Sequence, residues 1–395
     1  MKKIIALMLL TLSLFASGKF LSPLPLPKTY FIDLDINRCD DYCLQSLLNN
    51  GEIFSFLAKA KESNDPDIQK EYKKYALLFH MSQKRSIGAY NILIALQKRL
   101  APFGNSINKS LLAYFLKNGF DFDVTTKLFQ NSDTLITYIN ETNTSYDLII
   151  VPLPYAQKDI IARLQTNTPI FIPTIHRSMV ESENENIFFG GPDYYTQLDT
   201  LLSFIDENLS IFYLDKSPLS KELTDFAILY ASVNSKLYPI DEKIQNMKQI
   251  LYENEDLNES SVLFNTPLVK TALALSQMTY YDIEPKIKIS TQINYNPRLF
   301  SLTQPKDREN LYIAISFAPI QPTLEAYNAL IDSNINYDWL GYACFAGIEA
   351  LTNTQEGMKS DFQILDNQIL YPIRILQTTK YRFIDQTLQE NNLEF

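Results

Sequence analysis

Two histidines, ten glycines, three cysteines and one tryptophan in 395 residues leave several chemistries out at once. With only His80 and His176 available, an imidazole-rich metal site is excluded, and neither histidine accompanies a G-x-S-x-G nucleophile elbow. H-E-x-x-H and C-x-x-C are both absent, so no metal is expected from spacing, and no cofactor is expected either. So few glycines leave little material for a phosphate-cradling loop. Basic residues are in the minority, 35 Lys plus Arg against 45 Asp plus Glu, giving a net charge of −10. No long Lys/Arg cluster interrupts that acidity, which argues against nucleic acid as a partner. The alternating carboxylates Asp33/Asp35 and Asp121/Asp123 have no second element to complete a glycosidase pair. A binding role is favoured over an enzymatic one.

What is present is a folded chain, 46% hydrophobic and 20% charged, with apolar mass for more than one core. Its start reads as an export signal over residues 1–18: Lys2 and Lys3, an apolar run Ile4 to Phe15, then Ala16, Ser17 and Gly18 as the cleavage zone. That run falls short of the ~20 helical residues a bilayer requires, so no stable membrane insertion is expected after cleavage, and a periplasmic location follows. Loss of Lys2 and Lys3 leaves 33 basic against 45 acidic residues, a mature charge of −12. In an oxidising compartment Cys39 and Cys43, four residues apart, are expected to form a disulfide where a helix begins or is distorted. Cys344, in an apolar segment, reads as a small buried hydrophobe.

Prolines 23, 25 and 27 keep the next stretch extended. From about Asp40 to His80 apolar residues recur at helical spacing, with a break at Asn64 to Pro66, so residues 19–87 form a leader and a helical extension. His80 reads as a plain helix residue. Short β-rich runs then alternate with helical stretches. Strands are predicted at Tyr90–Leu96, Phe122–Phe129, Tyr146–Val151, Pro169–Pro173 and Ile187–Phe189, with helices at Asn105–Lys117, Asp133–Asn143, Ala156–Gln165 and Tyr194–Asn208. A second series follows: strands Leu209–Leu214, near Leu237, Val262–Phe264 and Leu311–Phe317, helices Ser220–Ser232, Glu242–Asn254 and Pro267–Met278. Two more helices, Pro322–Asp332 and Tyr337–Leu351, and a hairpin turning at Asp366-Asn367 complete the chain. Strands apolar on both faces and separated by single helices imply parallel sheets covered on both sides. The fold class is α/β, with two doubly wound parallel-sheet lobes.

In this order the pieces NILIALQKRLAPFGNSINKSLLAYF, YDLIIVPLPYAQKDIIARL, TPIFIPT, NIFFGGPDYYTQLDTLLSFI, LSIFYLDKSPLSKELTDFA, YDWLGYACFAGIEALT and DFQILDNQILYPIRILQ resemble the type I periplasmic-binding fold, that of exported solute receptors and penicillin-binding-protein activators. The resemblance implies lobe one at 88–208 with a return segment near 318–352, and lobe two at 209–317 with a C-terminal hairpin within 353–395. It also implies a non-catalytic receptor closing two lobes around a small polar solute such as an amino acid. The alternative is an envelope protein-interaction module that regulates cell-wall synthesis, favoured by low glycine, Pro152 and Pro154 in a turn, and the added helices.

Ligands of open α/β sheets bind beyond the carboxyl ends of the strands. That rule selects Asn105 and Ser106, Tyr155, Thr174, His176 and Arg177 in lobe one, and Lys216, Ser217, Asp241, Asn265 and Thr266 in lobe two. The resemblance brings Tyr155, Thr174, His176, Ser217 and Asp241 near a cleft ligand. Asn105, Ser217 and Thr266 equally suit helix N-caps. His176 with Arg177 could meet a carboxylate or phosphate, or form a solvated loop. Ser290 to Pro297, dense in amides and hydroxyls, reads either as a binding loop or as an ordered turn.

Overall fold

The computed structural model describes residues 31, 33, 35, 39–79, 90–118, 122–182, 184–206, 208–258, 260–356 and 362–386. The expected signal peptide, the Pro-rich leader and His80 lie outside them. The chain divides into a helical N-terminal unit and an α/β unit that comprises Leu34–Ile36 and Gly88–Phe395.

In the first unit, α1 (Asp41–Asn49), α2 (Ile53–Lys59) and α3 (Pro66–Leu78) bury Leu44, Phe56, Leu57, Ala60, Ile68 and Ala76 against one another. Asp40 is extended and caps α1 by accepting from the Cys43 amide at 2.9 Å. Cys39 thus stands just outside the helix, its Cα lies 5.2 Å from that of Cys43, and a disulfide joins the two. Asp65 caps α3 by accepting from the Asp67 and Ile68 amides, with Pro66 in the first turn, where the ring removes no helical bond.

The α/β unit holds two seven-stranded sheets. Lobe one consists of β1 (Tyr90–Gln97), β2 (Phe122–Phe129), β3 (Leu148–Ile150), β4 (Ile170–Ile172) and β5 (Ile187–Phe189), with α4 (Ala101–Asn118) and α5 (Ser132–Glu141) as crossovers and a 3-10 helix at Tyr155–Arg163. After α6 (Tyr194–Leu202), lobe two consists of β6 (Leu209–Leu214), β7 (Ser235–Ile240), β8 (Ser261–Asn265), β9 (Lys288–Ser290) and β10 (Leu311–Ile315), with α7 (Pro218–Tyr230) and α8 (Leu268–Tyr280). Then α9 (Pro322–Leu330) and α10 (Trp339–Glu356) return to pack on α4. The order β2-β1-β3-β4-β5 in one sheet is repeated as β7-β6-β8-β9-β10 in the other, with parallel pairing throughout these ten strands. Alternate residues of β1 enter opposite cores: Ile92, Ile94 and Leu96 one, Leu93 and Ala95 the other. No helix among the described residues is long and apolar enough to cross a membrane.

Four expectations change. The hairpin after α10 turns at Asp366-Asn367, both at positive φ, but its arms β11 (Ile364–Leu365) and β12 (Gln368–Ile369) join lobe one beside β5. Pro372 ends the run, and β13 (Arg374–Thr378) pairs with β10 in lobe two and with β14 (Phe383–Asp385). The helix expected over Glu242–Asn254 shrinks to one turn at Lys248–Leu251, because Asp241 and Asn246 side chains accept backbone amides of Lys243 and Lys248 and form local turns. The helix expected over Ala156–Gln165 is a 3-10 segment at Tyr155–Arg163. Strand β9 was hidden by lysines: Lys288 is buried and donates to the Asp307 carbonyl at 3.1 Å.

Arg308, 2% exposed, fastens the C-terminal segment to lobe two. It donates to the carbonyls of Thr303 (2.9 Å), Thr379 (3.2 Å) and Lys380 (2.6 Å). Arg308→Met keeps the packing but leaves those carbonyls without their donors. We expect denaturant unfolding of the variant to show about 3 kcal/mol less stability, and a loss under 1 kcal/mol would mean the guanidinium is not the fastener.

Candidate functional site

Parallel strands deliver their carboxyl ends to one edge, and in both lobes the chain reverses direction of growth between the first and third strand. In lobe one that switch point lies between β1 and β3. There the buried Gln97 donates to Ser132 Oγ at 3.0 Å and to Gln157 Oε1 at 2.8 Å, and accepts from Arg99 Nε at 3.1 Å. Thr174 ties the β3 and β4 ends together: its hydroxyl donates to the Leu153 carbonyl at 2.7 Å and accepts from the Leu153 amide at 3.0 Å. The β5 end passes so close to the chain after β4 that a Cβ on Gly191 would lie 2.1 Å from the Ile175 carbonyl carbon.

His176 caps the short turn after β4 by accepting from the Ser178 amide, and its Nε2 stands 3.9 Å from Asp193. Burial pushes its imidazole below the usual value, with the Asp193 carboxylate opposing. The Arg177 guanidinium bonds its own loop, donating to the carbonyls of Val180 (2.6 Å) and Ser182 (2.7 Å). In lobe two, Lys216 pairs with Asp241 at 3.4 Å on exposed ground, and Ser217 caps α7 by accepting from the Ser220 amide. Asn265 and Thr266 are buried, Thr266 bonded to Thr271 at 2.7 Å. Asn105 and Ser106 lie inside α4, which begins at Ala101, so neither caps it: Asn105 is exposed, and Ser106 bonds Asp338.

The lobes meet through Tyr155. Its phenol donates to Glu222 of α7, whose other oxygen accepts from Tyr195 at 2.5 Å. Lys158 reaches both Tyr155 Oη (2.5 Å) and Glu222 (3.4 Å), with its ammonium 4.5 Å from the Tyr155 ring centroid. Burial would raise the Glu222 carboxyl, but the Tyr155 and Tyr195 hydrogen bonds and the Lys158 charge outweigh it and hold the carboxyl low. A hollow of about 780 Å³ flanks this cluster, lined in part by Tyr195, Pro218, Glu222, Phe226 and Tyr230. A wider one, about 1140 Å³, lies among Asn140, Gln165, Thr166 and Asn184, and the side-chain amides of Asn140 and Asn184 donate to the Arg163 and Leu164 carbonyls. Among the described residues no group of three or more His, Cys, Asp and Glu could hold a metal.

Of the selected residues, the structure brings Tyr155 to the opposite lobe and joins Lys216 to Asp241. Gln97, Ser132, Gln157, Lys158, Tyr195 and Glu222 went unselected. Gln97 and Ser132 were within reach of the strand-end rule. Glu222 was not, because it sits a turn into α7 and its partner lies 67 positions away.

Two outcomes test this geometry. In a Tyr155→Phe/Glu222→Gln cycle read by denaturant unfolding, we expect a coupling of about 1 kcal/mol, and a value indistinguishable from zero would make the contact incidental. Burial holds the His176 imidazole below its usual value, so the folded chain binds fewer protons than the unfolded chain near pH 6.5 and stability falls as the pH drops through that value. His176→Gln should therefore flatten the loss of stability between about pH 7 and pH 5.5, and an unchanged slope would show that His176 does not contribute it.

No protein-family model and no curated protein sequence matches the chain. Solved structures do. A leucine-binding protein of Thermotoga maritima is 11% identical with a TM-score of 0.59, over 75% of this chain and 98% of its own. A branched-chain amino acid ABC transporter protein of Thermus thermophilus with bound valine is 14% identical with a TM-score of 0.61, over 76% and 96%. A solute-binding protein of R. palustris in complex with benzoate is 11% identical with a TM-score of 0.54, over 76% and 96%. The fold shared with them is the type I periplasmic-binding fold, as the order of landmarks in the sequence implies.

Proposed function

We propose that the chain is an exported, non-catalytic receptor that closes its two lobes on a small polar solute and resides in the periplasm. The observation that carries this reading is the Tyr155–Glu222–Lys158 bridge between lobes at the carboxyl edge, which is where a doubly wound sheet presents ligand. Structures of the same fold in complex with valine and with benzoate support a solute as ligand. The alternative of a partner-binding activator of cell-wall synthesis receives no support from those structures. An enzymatic reading would need a nucleophile and base free in the cleft, whereas the hydroxyl on His176 Nδ1, Ser178 Oγ at 2.8 Å, belongs to the turn that the same nitrogen caps by accepting from the Ser178 amide at 3.2 Å.

The single tryptophan gives the motion a reporter. Trp339 packs 5.2 Å from Phe317 at the end of β10 and 5.0 Å from Tyr371 between β12 and β13, where the chain passes from lobe to lobe. In a panel of amino acids, sugars and small peptides, a bound solute at about 100 times its Kd should stabilise the protein by about 2.7 kcal/mol and shift Trp339 emission in the same titration. A panel without either change would overturn the receptor reading.

A further inference from the structure

Three segments of lobe two carry no charge of their own, and the Arg374 guanidinium that reaches the Phe317 carbonyl at 3.0 Å is paired with Asp385 at 2.7 Å. Residues 260–269, 289–297 and 311–324, which include the carboxyl ends of β8, β9 and β10, contain no Asp, Glu, Lys, Arg or His. Two residues past the paired positions Leu263 and Ile289, Asn265 comes level with Thr291 on the sheet face covered by α6 and α7. Both are buried, at 1% and 0% exposure, and both keep a polar atom without a hydrogen bond: Oδ1 of Asn265 and Oγ1 of Thr291.

Thr224, bonded to Asn265, and Gln197, bonded to Gln292, have no donor to spare, and Asn294 Oδ1, three residues past Thr291, is a further buried acceptor without a hydrogen bond. Thr224 Oγ1 gives its proton to the Ser220 carbonyl at 2.8 Å, so it can only accept from Asn265 Nδ2 at 3.1 Å. That fixes which end of the Asn265 amide faces Thr224 and leaves Oδ1 as the free acceptor. Gln197 of α6 donates to Gln292 Oε1 (2.9 Å) and Ser316 Oγ (2.8 Å) and accepts from the Gln292 amide (3.0 Å), so it offers no donor to spare. A buried acceptor beside a buried hydroxyl is unfavourable unless some group both donates and accepts there.

Charge decides which group. A carboxylate would be repelled by Asn265 Oδ1, and an ammonium would be desolvated with no carboxylate in these segments to answer it. The carboxylate of the nearby α7, Glu222, is held by Tyr155, Tyr195 and Lys158. A hydroxyl or a primary amide matches both atoms without a charge.

We propose that Asn265 and Thr291 form the lobe-two half of the ligand subsite and that it takes an uncharged, hydroxyl- or amide-bearing solute in preference to a zwitterionic amino acid. This rests on the receptor reading above and narrows it.

The test uses the full mature chain, titrated with a panel of monosaccharides, polyols and primary amides against a panel of free amino acids, with thermal midpoint and calorimetry as readouts. Stabilisation by a member of the first panel and by none of the second supports the proposal. Stabilisation by amino acids alone overturns the ligand class and leaves the receptor reading standing, and silence from both panels overturns the two together. Thr291→Val keeps the volume and removes the unbonded hydroxyl, and Asn265→Leu removes the unbonded oxygen together with the Nδ2 bond to Thr224. Each should weaken the responding solute at least tenfold, Thr291→Val leaving the ligand-free midpoint unchanged or higher, whereas Ser235→Ala, at a buried unbonded hydroxyl in β7, should leave affinity unchanged. Undiminished affinity in the Thr291 and Asn265 variants would overturn the assignment of the subsite.

Discussion

Parallel pairing is the constraint from which the chemistry of this molecule follows. Each right-handed crossover returns the chain to the same starting edge, so β1 to β5 end together in one lobe and β6 to β10 end together in the other. Side chains remote in sequence then gather without any local motif. Gln97, Ser132 and Gln157 meet at one switch point, and Tyr155 meets Glu222 between the lobes. An antiparallel meander would have divided those ends between two edges.

The two kinds of contact between lobes differ in what they allow. Where the chain passes from lobe to lobe, rings pack in sequence: Tyr295 on Phe317, Phe317 on Trp339 and Tyr342, Trp339 on Tyr371. Tyr342 accepts the Ala318 amide at 2.8 Å, which joins α10 to the end of β10. Apolar packing of this kind is insensitive to which polar partner is nearby and keeps the crossover stiff. At the mouth the lobes touch through a carboxylate, two phenols and an ammonium, whose hydrogen bonds exchange readily for those of water or a solute. A stiff crossover with an exchangeable mouth is what the proposed closure on a solute would require.

Much of the scaffold was legible. Apolar runs such as LSIFYL and YNILIAL, each followed by a helical stretch, place strands buried on both faces, and β1, β2, β5 and β6 fall within a residue of their expected limits. The strand at Lys288–Ser290 was not, since its lysine looks like surface until Asp307 is seen to accept from it. Ser290 to Pro297 reads as a binding loop or an ordered turn, but nothing local shows that its Ser290, Thr291 and Asn294 are fully buried. Polarity predicts exposure only where no partner waits inside.

For the site, the rule of strand ends reached Tyr155 and Asn265 but could not rank them. Asn265 looked the same as Thr266 in sequence, yet Thr266 has Thr271 as partner and the Asn265 oxygen has none. The sequence by itself determined two like-built parallel lobes and a helical unit with its cysteine pair, because apolar periodicity and short spacings are local properties. Only the tertiary structure decided that Glu222 bridges the lobes, that the Arg177 guanidinium is held by loop carbonyls, and that the uncharged strand ends of lobe two hold three unmatched polar atoms, on Asn265, Thr291 and Asn294. Those outcomes depend on which groups remain unpartnered after distant segments pack, and that is a property of the whole fold.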